Sequence, residues 1–217
     1  MESLRDTGED VGLPDHVPTS RQLAGVVLCG GRSRRMGIDK ASIEVAGSTL
    51  LERAISRLQE VCEPVLVAPG DLHVDAGGHE KLEDAVPGAG PLAALVAALR
   101  RSPHSLLAVV AVDLPWLDPT LLRLLAGRIG NHDVAVCETA RGVEPLHAVY
   151  ATTALEAAES ALRGPDRSLH GLLRTLRVLT VTETEWRAAG TDPRFARNVN
   201  TPGDLSDLRL ELHPAGS

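Results

Sequence analysis

The stretch Leu23-Ala24-Gly25-Val26-Val27-Leu28-Cys29-Gly30-Gly31-Arg32-Ser33-Arg34-Arg35-Met36-Gly37-Ile38-Asp39-Lys40 carries the reading of the fold. Its first six residues form a short apolar run of the kind that makes a strand buried on both faces. A polar loop follows at once, with Gly30, Gly31 and Gly37 in it. Glycines after a strand let the backbone come close to a ligand and turn N–H groups towards it. Three arginines and Lys40 add positive charge, which suits a triphosphate. The loop is not a Walker A loop, because five residues separate Gly31 from Gly37 and no lysine follows the second glycine. It has no G-x-G-x-x-G dinucleotide fingerprint either. A surface turn made basic by chance is the plain alternative. Against it stand the junction with a buried strand and the scarcity of lysine, since Lys81 is the only other one.

Outward from this stretch, strands and helices alternate. Ile43 to Val45 reads as a short strand turned by Gly47, and Leu50, Leu51, Ala54, Ile55 and Leu58 recur at helical spacing behind a Ser48 or Thr49 cap. Pro64 to Ala68 reads as a second buried strand. A helix should follow Gly90-Pro91 and run to about Arg101. Leu106 to Val112 is a third buried strand, ending at Asp113-Leu114-Pro115, and a helix starts near Asp118-Pro119. Further on, 134–136, 146–150 and 177–181 read as strands, and 152–163 and 168–176 as helices. Thr201-Pro202 opens a last helix. The pattern predicts a single Rossmann-like α/β domain over 21–217, with a mostly parallel central sheet and helices on both faces. Residues 1–20, with five acids against one arginine and two prolines, are expected to be a disordered tail. Ligands in such sheets bind beyond the carboxyl ends of the strands. The glycine-rich loop and Asp113 each follow such an end, so both should face one crevice.

Three further signals bear on chemistry. Asp113, at the end of an apolar strand, is placed to hold a divalent cation by one carboxylate, the way magnesium on nucleotides is bound. By itself it would more often be a turn or cap aspartate. Asn198 and Asn200 alternate in an extended segment, so their amides should point the same way and support a metal or a phosphate; an ordinary cap before the last helix is as good a reading. Asp84, beside Glu83 and ahead of Pro87-Gly88-Ala89-Gly90-Pro91, could border a ribose or base. Arg167, before an apolar helix, could meet an anionic substrate or simply be solvated.

Composition excludes other classes. The chain has 217 residues and a formal net charge of -7, with 29 acidic against 22 basic residues, which argues against a sequence-blind nucleic-acid binder. Aromatics are 2%, so platforms for stacking bases are scarce. No apolar run approaches the ~20 residues of a membrane span, and the acidic N-terminus does not look like a signal peptide. Cys29, Cys62 and Cys137 form no CxxC pair, which fits a reduced, cytoplasmic chain. The eight histidines make no metal-ligand cluster. No G-x-S-x-G elbow is present.

Taken together, Leu28-Cys29-Gly30-Gly31, Arg35-Met36-Gly37 and Asp39-Lys40 resemble the opening motif of nucleotidyltransferases, and within them the molybdenum cofactor guanylyltransferase family. Glu83-Asp84, Gly90-Pro91-Leu92-Ala93, Asp113-Leu114-Pro115, Glu144-Pro145-Leu146, Arg167-Ser168-Leu169 and Asn198-Val199-Asn200-Thr201-Pro202 follow in the same order, so the resemblance spans about 22–210. Cys29 replaces the family's usual alanine, and Ala68-Pro69-Gly70 lacks an asparagine that some members use near the nucleotide. The resemblance implies transfer of GMP from GTP to molybdenum-molybdopterin, with Mg2+ as cofactor and pyrophosphate released. It assigns the backbone of Leu28, Cys29, Gly30 and Gly31 to guanine and phosphate approach. Arg35 and Lys40 would neutralise the triphosphate, Asp113 would hold magnesium and Asp84 would border the nucleoside. Asn198, Asn200 and Arg167 would serve the pterin-phosphate side. Cofactor-delivery proteins or molybdoenzymes are the implied protein partners. The double glycine Gly30-Gly31 is similar to the guanine-using branch rather than the cytidine-using one. A cytidylyltransferase on the same cofactor, an enzyme for another phosphorylated acceptor and a non-catalytic cofactor-binding module are the competing expectations.

Overall fold

The computed structural model describes residues 23–30 and 39–212. The expected tail at 1–20, and with it Gly31 and Arg35 of the glycine-rich loop, lie outside the described residues. A six-stranded sheet forms the centre, in the order β4-β1-β5-β7-β6-β8. It is built from β1 (Leu23–Leu28), β4 (Val65–Ala68), β5 (Leu106–Ala111), β6 (Val134–Thr139), β7 (Gly142–Ala151) and β8 (Val178–Val181). β1 lies parallel to both β4 and β5, and β6 parallel to β8. β7 is the one reversed strand, antiparallel to β5 and β6. The all-buried pattern of β1 and β4 follows from their place between helical layers. A small ribbon of β2 (Glu44–Val45) and β3 (Ser48–Thr49) stands apart, turned at Ala46 and Gly47, both with positive φ.

Two cores cover the sheet's faces. One contains Leu50, Leu58, Leu121, Leu125, Phe195 and Leu208, from α1 (Leu50–Gln59), α3 (Pro119–Arg128) and α7 (Pro202–Leu212) and the turn before α7. The other contains Leu92, Leu95, Tyr150, Leu162 and Leu172, from α2 (Pro91–Arg101), β7, α4 (Leu155–Arg163) and α5 (Leu169–Leu173). α1 starts at a reciprocal cap: Thr49 Oγ1 accepts from the Glu52 N–H at 3.1 Å, and Glu52 Oε2 accepts from the Thr49 N–H at 2.7 Å. Such a cap contributes about 1 kcal/mol. Leu58 is fully buried under β1, and truncating it to alanine would cost about 2–5 kcal/mol.

The sheet and both helical layers match the sequence expectation, with local differences. The helix expected over 168–176 ends at Leu173. β7 is longer than 146–150, because the 134–136 strand continues through Thr139 into a tight turn and β7 pairs back from Gly142. A short helix, α6 (Glu183–Ala188), was not expected. It starts at a Thr182–Glu185 capping box and buries Trp186. No helix among the described residues is long and apolar enough to cross a membrane.

Candidate active site

The carboxyl ends of β1 and β5 are tied together, since the Val112 N–H donates to the Leu28 carbonyl at 3.0 Å. That bond sets Cys29-Gly30 and Asp113 side by side. The Cys29 N–H donates to the Ala68 carbonyl at 2.9 Å, which brings the end of β4 to the same rim. Burial raises the Cys29 thiol to about 12, so it stays protonated and is no nucleophile.

Lys40 reaches this rim from a short 3-10 turn, Lys40–Ser42. Asp39 fixes that turn: its Oδ1 accepts from the Ala41 N–H at 2.9 Å and its Oδ2 from the Ser42 hydroxyl at 3.2 Å. The Lys40 ammonium then donates to Asp113 Oδ2 and to Asn200 Oδ1, each at 2.7 Å. The Lys40 and Asp113 side chains are 12% and 18% exposed, enough to be reached by a ligand yet well shielded from water. Asp113 is held from behind as well, because its carbonyl accepts from the Val199 N–H at 2.9 Å. The segment 198–200 is thus clamped to the end of β5. Thr201 caps α7: its Oγ1 accepts from the Asp204 N–H at 3.1 Å, and Asp204 Oδ2 accepts from the Asn200 and Thr201 N–H groups. The cap is Thr201 rather than an asparagine, which leaves the Asn200 amide for Lys40. The expected common direction of the two asparagines is not seen in their bonding. Among the described residues the Asn198 amide makes no hydrogen bond with the protein.

A cleft of about 510 Å³ opens beside this centre, on the β1–β4 side, lined by Leu28, Gly30, Gly70, Asp84, Gly90 and Pro91 among others. One part of its wall favours glycine. Gly70 has φ +61, and a Cβ there would sit 3.4 Å from the Gly30 Cα and 3.8 Å from Asp84 Oδ2. The asparagine missing after β4 is therefore replaced by a bare backbone edge. Asp84 Oδ1 is buried without a protein partner among the described residues. Burial, then the charge of Asp71, raises its carboxyl above the usual range. A buried orphan acceptor on a cleft wall suits a ligand N–H or O–H.

On the other side of Asp113 stands Glu144, in β7. Its Oε1 accepts from the Leu146 N–H at 2.9 Å. Burial pushes its carboxyl up and the Leu146 N–H pulls it down; the charge of Asp113 adds to the rise, while His170 and Arg141 oppose it. Arg167 lies exposed in the loop before α5. That loop is pinned by Asp166, whose carboxylate accepts from the Ser168 N–H and hydroxyl and pairs with Arg174. Gly171 accommodates this pin, since a Cβ there would lie 2.5 Å from Asp166 Oδ2.

The structure thus brings Lys40, Asp113 and Asn200 into bonding contact and sets Leu28, Gly30 and Asp84 around the adjoining cleft. Arg167 makes no hydrogen bond or ion pair with that centre among the described residues. Glu144 is the residue sequence reasoning passed over as a site residue. Its available signal was an acid just ahead of the strand read at 146–150, and that strand, β7, begins earlier, at Gly142. A larger cavity, about 660 Å³, lies by Arg53, Arg57, Trp116 and Arg194 and contains none of the expected site residues.

Residues 25–181 match the MobA-like NTP transferase domain. A "Probable molybdenum cofactor guanylyltransferase" of Pelotomaculum thermopropionicum is 35% identical over 193 residues, covering 87% of this chain and 93% of that protein. The chain belongs to this guanylyltransferase family. A second member, from Opitutus terrae and named in the same words, is 38% identical over 194 residues, covering 84% and 92% of the two chains. The crystal structure of molybdopterin-guanine dinucleotide biosynthesis protein A from Archaeoglobus fulgidus is similar to this fold, with a TM-score of 0.74 and 25% identity. It covers 86% of this chain and 96% of that one. Family membership accounts for the order of the motifs, and the geometry above shows what joins them: Asp39-Lys40, Asp113 and Asn200 are three separate motifs meeting at one ammonium group.

Proposed function

We propose that this protein transfers GMP from GTP to molybdenum-molybdopterin, forming the guanine dinucleotide form of the cofactor and releasing pyrophosphate in the cytoplasm. The observation that carries the reading is the Lys40 ammonium held between Asp113 and Asn200 beside the end of β1, where Leu28 and Gly30 line a cleft walled by glycine backbone and the unpartnered Oδ1 of Asp84.

The roles follow from the chemistry of the groups. Guanine carries adjacent N–H donors at its ring N1 and 2-amino group, and Asp84 offers the acceptor on the cleft wall. Cytosine lacks that paired donor edge, so GTP is favoured over CTP. The close approach of Gly30 and Gly70 leaves room for the nucleoside against bare backbone. Lys40, a compact cation, meets the triphosphate and the negative charge that grows on the leaving pyrophosphate. Arg35 adds to that charge from the glycine-rich loop. The acceptor's terminal phosphate is itself the nucleophile at the α-phosphorus, so the protein needs only to align the two reactants and screen their charge.

The residues fit a magnesium ion. One oxygen of Asp113 is taken by Lys40, and its Oδ1 accepts no hydrogen bond among the described residues. No group of three or more His, Cys, Asp or Glu that could hold a metal occurs among them. A single carboxylate sharing its cation with phosphate oxygens is the usual magnesium arrangement on nucleotides. Such an ion would polarise the α-phosphate and template the reactants. Asn200 keeps Lys40 aimed at the phosphates, and Asn198 and Arg167 remain for the acceptor's phosphate. Cofactor-delivery proteins or molybdoenzymes are the natural source and destination of a labile pterin.

The test is product formation. Purified protein given Mg2+, molybdenum-loaded molybdopterin and an equal mixture of GTP and CTP should yield the guanine dinucleotide by mass spectrometry. Predominant cytosine dinucleotide would keep the mechanism and overturn the base assignment. No dinucleotide from folded protein would overturn the reading.

A further inference from the structure

Glu144 has none of the roles above, although the charge of Asp113 reaches it. The antiparallel register of β5 and β7 runs from Leu106 opposite Ala151 to Val110 opposite His147. Three residues beyond the last pair of that ladder each segment carries an acid, Asp113 in the turn after β5 and Glu144 in β7, and the charge of Asp113 is felt at Glu144. In the sheet order β4-β1-β5-β7, the nucleotide cleft occupies the β4–β1 side of Asp113 and Glu144 the β7 side. In the sheet order, the partly buried carboxylates of Asp84 and Glu144 thus belong to opposite sides of the strand that ends at Asp113.

We propose that Glu144 recognises the acceptor by taking hydrogen bonds from the 2-amino and ring N–H edge of its pterin. The inference rests on the reading above that a pterin phosphate is the acceptor. The acceptor is anionic at its phosphate and at its metal-dithiolene end, and a carboxylate would repel both. Its pterin is the one part that offers paired N–H donors. Glu144 is pre-oriented for it, because the Leu146 N–H holds Oε1 and no protein group among the described residues occupies Oε2. A carboxylate fixed by one bond and open at the other oxygen selects a planar donor edge. Guanine and pterin share the same edge, an amino group beside a ring N–H and a carbonyl. The site then reads both ends of its product with the same device, Asp84 on one side of Asp113 and Glu144 on the other.

The test uses Glu144→Gln in the full chain. The amide keeps the side chain's volume and an oxygen for the Leu146 N–H, and replaces the open acceptor by a donor. Two fluorescent probes are titrated in the presence of Mg-GTP: 6-hydroxymethylpterin phosphate, and its lumazine counterpart with oxygen in place of the 2-amino group. The wild-type protein should prefer the pterin by about tenfold, the scale of a hydrogen bond to a charged group. Glu144→Gln should lose that preference and keep its affinity for GTP within about twofold, on the same scale. With molybdopterin as substrate the variant should show a raised KM for the acceptor and a nearly unchanged kcat. An equal pterin preference in both proteins would overturn the proposal, as would a raised KM confined to Mg-GTP. A wild-type protein that makes no dinucleotide would overturn the functional reading, while the probe preference would still decide for or against Glu144.

Discussion

The Val199 N–H donates to the carbonyl of Asp113 at 2.9 Å, so the segment carrying Asn198 and Asn200 is a structural continuation of the Asp113 turn. The next residue, Asn200, then shares the Lys40 ammonium with the Asp113 carboxylate. One backbone bond thereby places three side chains from distant parts of the chain within one hydrogen-bonded unit.

Lys40 is expected to be the least replaceable of them. Lys40→Ala should lower kcat by roughly 10²–10³, the usual loss on removing a group that stabilises transition-state charge. Lys40→Arg should not restore it, because a planar fork cannot occupy the space between two oxygens each 2.7 Å from a single nitrogen. Steady-state turnover of the three proteins, with circular dichroism to confirm folding, checks this. Arginine at wild-type rate would contradict it.

Asn200 acts by aiming Lys40. Asn200→Ala removes one hydrogen bond to a charged group and should cost roughly tenfold in kcat/KM, with little change in stability because Asn200 is exposed. Asn200→Ala combined with Lys40→Ala should be no worse than Lys40→Ala alone. Additive losses in that double-mutant cycle would show that the two act separately.

The wall of the nucleotide cleft is sensitive to a single methyl group. Gly70→Ala must hold a β-carbon at φ +61, which costs about 1 kcal/mol, and bring it 3.4 Å from the Gly30 Cα. The melting temperature should fall by roughly 2–4 °C for a chain of this size. The KM for GTP should rise while that for the acceptor holds. Calorimetry and nucleotide titration together measure both effects.

Asp133 predicts the acid limb of the stability curve. Hydrogen bonds from Arg177 chiefly hold its carboxyl well below the usual carboxylate range, with Thr153 contributing. A depressed folded-state value means the stabilisation is fully present above the unfolded value, near about pH 4, and is lost as pH falls through the folded value. The stability gap between wild type and Asp133→Asn should therefore be constant from neutral pH down to about pH 5 and close below it. Denaturant titrations across that range measure the gap, and a gap that widens on acidification would contradict the assignment.

Much of this architecture was legible in the residues. β1, β4 and β5 announce themselves because strands buried on both faces must be apolar throughout. α1 is equally plain, since Leu50, Leu51, Ala54, Ile55 and Leu58 can share a face only in a helix. α6 escaped because a six-residue helix with three charged residues shows no apolar period; the Thr182 and Glu185 capping pair before Trp186 was the available signal. In the site, Lys40 and Asp113 were expected in one crevice from their places after strand ends. Asn200 in contact with Lys40 was not readable, because it depends on the Val199–Asp113 bond and on Thr201 taking the cap of α7. Glu144 was hidden because β7 is reversed, so that its early residues come back towards the end of β5 where Asp113 follows.

The most direct measurement is pyrophosphate release from Mg-GTP, with and without molybdenum-loaded molybdopterin, by the wild-type protein and by Asp113→Ala. The account predicts release that requires the acceptor in the wild type. In the variant, release should fall at least about 10²-fold while GTP binding is partly retained. Acceptor-dependent release at the wild-type rate from Asp113→Ala would contradict the central claim that this carboxylate, tied to Lys40 and Val199, organises the transfer.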